Sequence, residues 1–463
     1  MKQNKINRRS FLDKSLTVGA FSFFGGKIAG QDFNGLSNEP QDVYQEPLKT
    51  LPVYGRFDVI VVGGGPAGFA AALSSARNGA KTLIIERFPF FGGTATASLM
   101  TNINGYRNQV KPDGLQTSKG ISEEVILGLK EIKGLGKVSA VYAQKEYATE
   151  KGELSYCYAI DSEKTKYLLT KMLYDAGVNI LFHTMFVDSI MDRDNITGII
   201  IENKSGRQAI FGKVIIDASG DADVSFKAGV PFWQADVKKD KHLGNSLMYR
   251  VGGFGDADKV TIDVKKSETA NSILLRSSAL DLDVTNADNL TRCEIEARLG
   301  IFEHFKTQQE KASPYLDNAS IIETPPLLGI RQTRFINGLY KITGDDALKG
   351  RKFDDSIAMS SCPIIRYYGY RRYLEHEGYE IPYRCLLPQK VEGLLVAGRC
   401  ISSDQQSYES YRAMAPTMCL GEAAGTAAAL SVISQKSPKE IDVEMLRDQL
   451  IKQGAEIGQN HKS

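Results

Sequence analysis

The sequence predicts an α/β fold in which a Rossmann-like parallel sheet is joined to a mixed α+β domain. The β-branched run Arg56–Val62 leads directly into the glycine-rich turn Gly63–Gly68. An alanine-rich segment follows, and a second hydrophobic run, Lys81–Ile85, then ends on the acid Glu86. Strand, glycine turn, helix, strand and acid in this order form a complete βαβ unit.

The composition is that of a globular protein. Hydrophobic residues make up 42% of the 463 residues and charged residues 24%, which allows a large buried core. No apolar run reaches the roughly 18 residues of a membrane-spanning helix, so no spanning segment is expected. The net charge is only +2, without a basic stripe, so nucleic-acid binding is not expected. The six cysteines form no C-x-x-C pair and no zinc-ligand spacing, which predicts buried free thiols and no metal site.

The first thirty residues are expected to be a targeting signal and not part of the fold. Arg8 and Arg9 stand in the run Asn7–Leu12, and a mildly apolar, glycine-rich stretch follows at Ser15–Gly26. This resembles a twin-arginine export signal, which implies the twin-arginine export machinery as a partner and a periplasmic or otherwise exported protein. Asn7 stands where Ser or Thr is usual, and a clear cleavage site is missing. The alternative is a disordered basic N-terminus of a cytoplasmic protein.

The glycine turn predicts a dinucleotide site. Gly63 permits the tight turn, Gly65 lets the backbone approach a pyrophosphate, and Gly68 lets helix and strand pack closely. The N-terminus of the helix that follows then faces the phosphates. Glu86 would accept hydrogen bonds from the adenosine ribose hydroxyls. The alternative, a glycine-rich turn that binds nothing, is hard to reconcile with the flanking strands and acid.

The βαβ unit alone does not separate NAD from FAD, and the downstream segments favour FAD. Residues 178–190 and 196–211 are predicted to form hairpins, after which Lys213–Asp217 returns a hydrophobic strand to a tight turn. Near the far end, Val391–Arg399 is another buried strand that ends on a glycine. Pro416 then opens an alanine-rich helix that carries Gly421, Ala424, Gly425 and Ala428 on one closely packing face.

These stretches resemble the FAD-dependent oxidoreductases of the glutathione-reductase-type fold. The matching segments are Asp58–Thr96, Asp161–Phe232, Gly329–Cys362 and Ile381–Leu430. The resemblance implies a Rossmann-like FAD-binding domain, a parallel sheet with a βαβ unit and a β-meander insertion, together with a mixed α+β substrate or cap domain. It implies FAD as the cofactor. Arg399 stands where the family usually has an acid, so the residue that would contact the ribityl chain of FAD is not assigned by the resemblance.

The resemblance assigns the FAD contacts residue by residue. Gly92, Gly93 and Thr94 would follow the diphosphate and ribityl, Val187 would meet adenine through its backbone, and backbone amides near Met418 would face the flavin pyrimidine. The expected cofactor-binding residues are Gly63, Gly65, Pro66, Ala67, Gly68, Glu86, Arg87, Gly92, Gly93, Thr94, Val187, Ala218, Ser219, Gly220, Gly398, Arg399 and Met418.

The active-site wall is expected just before the helix at Pro416, where polar and aromatic residues are dense. Arg412 would anchor a substrate carboxylate, carbonyl or sugar hydroxyl, while Glu409, Tyr408 or Tyr411 would move a proton. Alternatively, Arg412 and Glu409 form a structural ion pair. His376 is a further catalytic candidate, although its neighbours also resemble a solvated surface.

The predicted function is an FAD-dependent oxidoreductase that transfers a hydride between flavin N5 and a small organic substrate. The electron acceptor would be a quinone, a cytochrome or oxygen. The alternatives are a flavin electron-transfer protein without an enclosed pocket and, more remotely, a non-catalytic exported binding protein.

The predicted domain organisation divides the dinucleotide fold into three parts. The segments are a signal at 1–30, a linker at 31–52, FAD-binding parts at 53–104, 161–232 and 386–434, a lid insertion at 105–160, a substrate or cap domain at 233–385, and a C-terminal helix at 435–463.

Overall fold

The structure is a computed structural model that describes residues 44–108, 115–136, 157–237, 244–254, 265–266, 272–365 and 371–458. The predicted signal and most of the predicted linker lie outside the described residues, as do parts of the predicted lid insertion. The chain divides into two units, 1–50 and 51–463. Within the first unit, residues 44–50 are exposed and carry no helix or strand.

The second unit contains every helix and strand of the described ranges. The strands are β1 Val53–Val62, β2 Thr82–Ile85, β3 Asn102–Asn104, β4 Leu135–Gly136, β5 Cys157–Ile160, β6 Asn179–Leu181, β7 Met185–Asp192, β8 Asn195–Asn203, β9 Gly206–Asp217, β10 Phe232–Gln234, β11 Ser246–Gly252, β12 Lys265–Lys266, β13 Ser272–Ser278, β14 Ser320–Glu323, β15 Arg334–Ile336, β16 Ser356–Ser360, β17 Ile364–Ile365, β18 Arg371–Arg372, β19 Tyr379–Pro382 and β20 Leu394–Val396. The helices are α1 Pro66–Arg77, α2 Ile121–Glu131, α3 Ser162–Asp175, α4 Asp223–Lys227, α5 Ala287–Lys311, α6 Gly344–Leu348, α7 Gln405–Tyr411, α8 Met414–Ser434 and α9 Val443–Lys452.

The main sheet has the strand order β6-β2-β1-β9-β8-β7, and β20 also pairs with β9. The strands β6, β2, β1, β9 and β20 are parallel, while β7, β8 and β9 form an antiparallel meander. The predicted α/β fold, a parallel sheet with a βαβ unit and a meander insertion, is confirmed. Val62 pairs with both Ile85 and Asp217, and Asp217 pairs with Val396. The carboxyl ends of four parallel strands therefore meet at one edge, where α/β sheets bind ligands.

Helices α1 and α8 pack on this sheet through glycine and alanine. Gly421 and Gly425 face Ala67 and Ala71 so closely that a Cβ on either glycine would overlap a backbone carbonyl of α1. Helix α8 begins at Met414, two residues before the expected start at Pro416. This close contact holds two helix N-termini at the same sheet edge.

Helix α8 is also the one described helix that is long and apolar enough to cross a membrane. In its most apolar window, however, 78% of the residues are buried inside the protein. A core helix of a globular protein meets the same criterion, so the helix is weak evidence for a membrane span.

A second, four-stranded sheet has the order β12-β13-β11-β14 and is covered on one face by α5. Leu247, Tyr249 and Val251 of β11 alternate toward α5, where they join a separate hydrophobic core. The opposite face carries Met248 and Leu274, which pack against Leu99 near the main sheet. The α+β part of the molecule therefore lies over the carboxyl edge of the main sheet.

Candidate functional site

A large cavity of about 1050 Å³ opens at the carboxyl edge of the main sheet. Its floor is formed by the glycine turn after β1 and the ends of β2, β9 and β20, and its roof by the four-stranded sheet. Asn245, Ser246, Arg276 and Ser278 are among the roof residues. At this volume the cavity lies at the upper end of ligand sites, which gives room for a cofactor together with a substrate.

The glycine turn gives each of its three key glycines a different role. Gly63 has a φ of +99°, and a Cβ there would stand 2.6 Å from the carbonyl oxygen of Ala218. A Cβ on Gly68 would stand 1.8 Å from the Gly63 oxygen, whereas a Cβ on Gly65 would meet no atom within 4 Å. Gly63 and Gly68 therefore close the turn, and only Gly65 leaves open space on the cavity side.

The N-terminus of α1 borders that open space. Its N-cap is Gly65, which offers no side-chain cap, and Pro66 is the first helical residue. The uncapped backbone amides and the positive end of the helix dipole suit an anion such as a pyrophosphate. Gly93 and Thr94 line the cavity across from this end, because Gly92 donates its N–H to the oxygen of Gly64 at 2.8 Å.

Glu86 lies at the end of β2 with its carboxylate turned toward the glycine turn. Oε2 accepts the N–H of Gly64 at 2.7 Å and Oε1 accepts the N–H of Phe88 at 2.9 Å. Each carboxylate oxygen can accept more than one hydrogen bond. Glu86 and its neighbour Arg87 both line the cavity, so Glu86 can bind the turn and a ribose hydroxyl at once.

Val187 lies at a bulge in β7 on the wall of the cavity. Phe186 pairs with Ile201 and Asp188 pairs with Ile200, so Val187 is the extra residue between two consecutive partners. A bulge residue is left out of the regular ladder of hydrogen bonds. The Val187 backbone is thus suited to meet the edge of a planar base such as adenine.

The turn after β9 is held by the buried carboxylate of Asp217. Its two oxygens accept hydrogen bonds from the N–H and hydroxyl groups of Ser219 and Ser225, at 2.6 to 3.1 Å. This network fixes Ala218, Ser219 and Gly220 along the cavity wall. A charged group with four hydrogen bonds tolerates complete burial.

Arg399 joins three segments of the cavity wall instead of standing free. Its guanidinium donates to the oxygen of Gly220 at 2.6 Å, to the oxygen of Ile330 at 2.7 Å and to the carboxylate of Asp221. Burial raises the pKa of Asp221, but the Arg399 charge and a hydrogen bond from Thr333 outweigh it and lower that pKa overall. Gly398 and Arg399 line the cavity. Through these hydrogen bonds Arg399 connects the turn after β9 with the segment around Ile330, which follows the roof sheet.

The opposite end of the cavity is bounded by α7 and the N-terminus of α8. Met414 and Thr417 line the cavity, and Ala413 supplies no side-chain cap to α8. Glu409 and Arg412 also line it. The Nε of Arg412 is buried without a hydrogen-bond partner in the described part of the chain, and its guanidinium stands 5.7 Å from the centre of the Tyr408 ring.

Several expected site residues do not reach the cavity lining. The Tyr411 hydroxyl donates a hydrogen bond within the core, 3.0 Å from the Arg399 oxygen and 2.8 Å from Ser403 Oγ. His376 lies elsewhere, with Nε2 donating to the Ala347 oxygen at 2.9 Å. Gly68, Gly92 and Met418 stand behind residues that do line it.

Arg276 and Arg331 also line the roof side of the cavity, although neither was expected there from the sequence. Arg331 lies within the segment Gly329–Cys362, but nothing in its local pattern points to a site. All six cysteines are buried and free, as expected, and the described residues contain no His, Cys, Asp and Glu cluster suited to a metal.

The residues present fit FAD. The open space at Gly65 and the uncapped N-terminus of α1 suit the pyrophosphate. The uncapped N-terminus of α8 suits the flavin, and the bulge at Val187 suits the adenine. Together with the parallel sheet, these features define a dinucleotide-binding protein. The chain matches the family described as FAD dependent oxidoreductase over residues 58–274 and 259–450. It therefore belongs to that family, is an enzyme and uses FAD.

Curated relatives include thiamine thiazole synthases of archaea. The chain is 31% identical to that of Methanococcus vannielii over 179 residues, which are 36% of this chain and 58% of the relative. It is 30% identical to that of Saccharolobus solfataricus over 196 residues, 39% of this chain and 62% of the relative. The chain thus spans less than two thirds of the length of these relatives.

Among solved structures, the fold is similar to a geranylgeranyl bacteriochlorophyll reductase-like protein from Thermoplasma acidophilum. The TM-score is 0.50 at 16% identity, with 87% of this chain and 84% of that chain covered. At this identity the similarity concerns the fold alone.

Proposed function

We propose that the enzyme exchanges a hydride between FAD and a small organic substrate that binds between α7 and the roof sheet. When bound, FAD supplies the redox chemistry at flavin N5. The observation that carries the proposal is one continuous cavity, which extends from the Gly65 turn to Arg412 and is covered by Ser246 and Arg276. A flavin electron-transfer protein would instead be expected to expose the flavin edge to its partner.

In this proposal Arg412 positions the substrate. Its guanidinium is held against the Tyr408 ring and retains a buried donor without a partner among the described residues. A hydride donor must be held within about 3 to 3.5 Å of its acceptor, so a fixed polar anchor lowers the barrier. Glu409 of α7 is the proposed proton-transferring residue, because it also lines the cavity and accepts a hydrogen bond from Gln405 at 3.1 Å.

The N-terminus of α8 is proposed to stabilise negative charge that develops on the flavin during reduction. The positive end of a helix dipole and uncapped amides favour an anion at that position. We also propose that FAD lies as in the glutathione-reductase-type fold, with its adenosine at Glu86 and Val187 and its pyrophosphate at Gly65.

Export is the second part of the proposal. The Arg8–Arg9 pair and the apolar stretch after it support transport of a protein already folded with its cofactor. The proposed electron acceptor is then a quinone, a cytochrome or oxygen.

The test is anaerobic reduction of the FAD-loaded enzyme by a panel of small organic substrates, followed by flavin absorbance. We expect Arg412→Ala to slow reduction by a working substrate at least tenfold, about 1.4 kcal/mol of activation free energy, with FAD still bound. Arg292→Ala on the surface of α5 is the matched control, and its rate should not change. If only a protein donor reduces the flavin, the electron-transfer alternative replaces this proposal.

A further inference from the structure

We propose that the side-chain amides of Asn102 and Asn104 bind the polar edge of the flavin ring of FAD. The inference rests on the proposed function and deepens it, because it names two side chains that hold the ring at which the hydride is exchanged. It is carried by two amides of one strand that face the cavity and keep buried atoms without a hydrogen bond in the described part of the chain.

Strand β3 places both asparagines on the cavity side. Its three residues pair in register with Cys157–Ala159 of β5, which keeps the strand extended. Successive side chains of a strand point to opposite faces, and Ile103 belongs to the core of the main sheet. Asn102 and Asn104 therefore share the other face, where both line the cavity.

Each asparagine has a buried polar atom without a partner among the described residues. Asn102 is only 4% exposed, and its Nδ2 donates to no atom of these residues, while Oδ1 of Asn104 accepts no hydrogen bond from them. Leaving such an atom unbonded is unfavourable, so a ligand or water normally satisfies it. Because a half-turn exchanges the oxygen and nitrogen of an amide, each side chain offers both a donor and an acceptor.

Strand β3 connects the two segments that are proposed to border the flavin. Just before the strand, the Met100 N–H donates to the Thr94 oxygen at 3.0 Å. Just after it, a Cβ on Gly105 would stand 2.8 Å from Cδ of Pro416 in the first turn of α8. The two asparagines thus lie on the cavity wall between the segment that faces the glycine turn and the N-terminus of α8.

The chemistry of the flavin ring explains why this wall needs amides. The pyrimidine half of the ring presents C2=O, N3–H and C4=O along one edge, so it requires an acceptor between two donors. The N-terminus of α8 offers backbone N–H groups, which only donate. An asparagine carbonyl can accept the N3–H, while the amide nitrogen donates to a neighbouring ring oxygen.

A neutral amide also suits a ring that gains negative charge on reduction. A carboxylate would accept the N3–H as well, but it would place a second negative charge beside the reduced ring and oppose reduction. Hydrogen bonds and charges near the ring are the means by which a protein tunes its electronic properties. We therefore expect the two asparagines to affect the midpoint potential of the flavin as well as its affinity.

The test uses the FAD-loaded enzyme and three measurements that need no substrate. They are the dissociation constant of FAD, the visible spectrum of the bound flavin and its midpoint potential. Asn102→Leu and Asn104→Leu keep the size of the side chain and remove its hydrogen bonds. Each should raise the dissociation constant at least threefold, as expected for the loss of one neutral hydrogen bond. Each should also shift the visible bands of the flavin, which respond to hydrogen bonds at the ring carbonyls.

Two variants of the same shape as asparagine test the role of charge. Of Asn102→Asp and Asn104→Asp, at least one should weaken binding of reduced FAD tenfold relative to oxidised FAD. For a two-electron couple this lowers the midpoint potential by about 30 mV.

The matched controls are Asn195→Leu and Asn195→Asp, at the exposed first residue of β8, which does not line the cavity. They should leave all three measurements as in the parent. Circular dichroism establishes that each variant is folded. Where a leucine variant does not fold, the serine variant of the same residue replaces it, because its short side chain also loses the contact and should give the same threefold effect.

The inference is overturned if the variants of both asparagines keep the FAD affinity, spectrum and potential of the parent, as expected if the amides bind only water. It is also overturned if they change the rate of reduction by a substrate but none of these three measurements, because the amides would then face the substrate.

Its failure is distinct from that of the proposed function. Weaker and spectrally shifted FAD in the variants of an enzyme that no small molecule reduces would contradict hydride exchange alone. Reduction of the parent by a small molecule, with asparagine variants that hold FAD as the parent does, would contradict this inference alone.

Discussion

Gly421 of α8 lies against Ala67 of α1 so closely that a Cβ on Gly421 would stand 2.0 Å from the carbonyl oxygen of Ala67. One turn further along, a Cβ on Gly425 would stand 2.2 Å from the oxygen of Ala71. The Ser74 and Thr426 hydroxyls complete the contact with a hydrogen bond of 2.8 Å. The position of both helix N-termini at the cavity therefore depends on backbone contact between α1 and α8.

The first prediction concerns this contact. We expect Gly421→Val to lower the free energy of unfolding by about 3 kcal/mol, because the added side chain must push two buried helices apart. FAD content should fall with it, since residues at both helix N-termini line the cavity proposed to hold the cofactor. Chemical denaturation and flavin absorbance would measure the two effects. Ile433→Val, on the exposed side of α8, is the control, and near-parent stability of Gly421→Val would contradict the packing argument.

The second prediction separates two glycines of the same turn. Gly65→Val should give a folded protein without FAD, because its φ of −68° suits any residue and the new side chain would occupy only the open space proposed for the pyrophosphate. Gly68→Val should fail to fold, because its Cβ would overlap the Gly63 backbone. Circular dichroism and the ratio of FAD to chain distinguish the two outcomes. Full FAD occupancy in Gly65→Val would remove the assignment of the phosphate site.

The third prediction is a pH dependence of stability that arises at Glu422. Burial raises the pKa of this carboxyl to about 7, although the Ile121 N–H that it accepts at 2.9 Å acts in the opposite direction. Between its ordinary pKa of 4.5 and this value the folded protein binds more protons than the unfolded chain, so the free energy of unfolding falls as pH rises.

We expect Glu422→Gln to weaken this dependence of the free energy of unfolding on pH. Above pH 7 the variant should have a free energy of unfolding higher than that of the parent by on the order of 3 kcal/mol. The amide can still accept the Ile121 N–H without a buried charge. Denaturation curves at pH 5 and pH 8 provide the measurement. Glu163→Gln, at an exposed glutamate, should leave the profile unchanged. An unaltered profile in Glu422→Gln would show that this carboxyl does not titrate as stated.

The fourth prediction tests export. Arg8→Lys combined with Arg9→Lys should leave a folded, FAD-loaded protein in the cytoplasm, because a receptor reads the arginine pair and the FAD-binding sheet begins only at Val53. Cell fractionation with flavin absorbance is the measurement, and Lys2→Arg with Lys5→Arg is the matched control. Normal export of the arginine double variant would contradict the proposed export signal.

The α/β class, the βαβ unit and the FAD cofactor could all be predicted from the amino-acid sequence. Gly63, Gly65, Gly68 and Glu86 stand within a short segment, where strand, turn and helix are set by local spacing and by the residues that each conformation allows. The structure and the family confirm these features. Local patterns are informative here because the groups proposed to bind the phosphates are backbone amides of one continuous turn.

The set of polar side chains that share the cavity could not be predicted in this way and is seen only in the folded protein. Tyr411 and Arg412 are neighbours in sequence, yet the hydroxyl of Tyr411 is bound in the core while Arg412 lines the cavity. Arg331 has no distinctive local pattern, and it lines the cavity next to Gln332, which pairs with Gln405 of α7. Contacts of this kind join segments that are remote in the chain, so they depend on how whole layers pack and not on residue spacing.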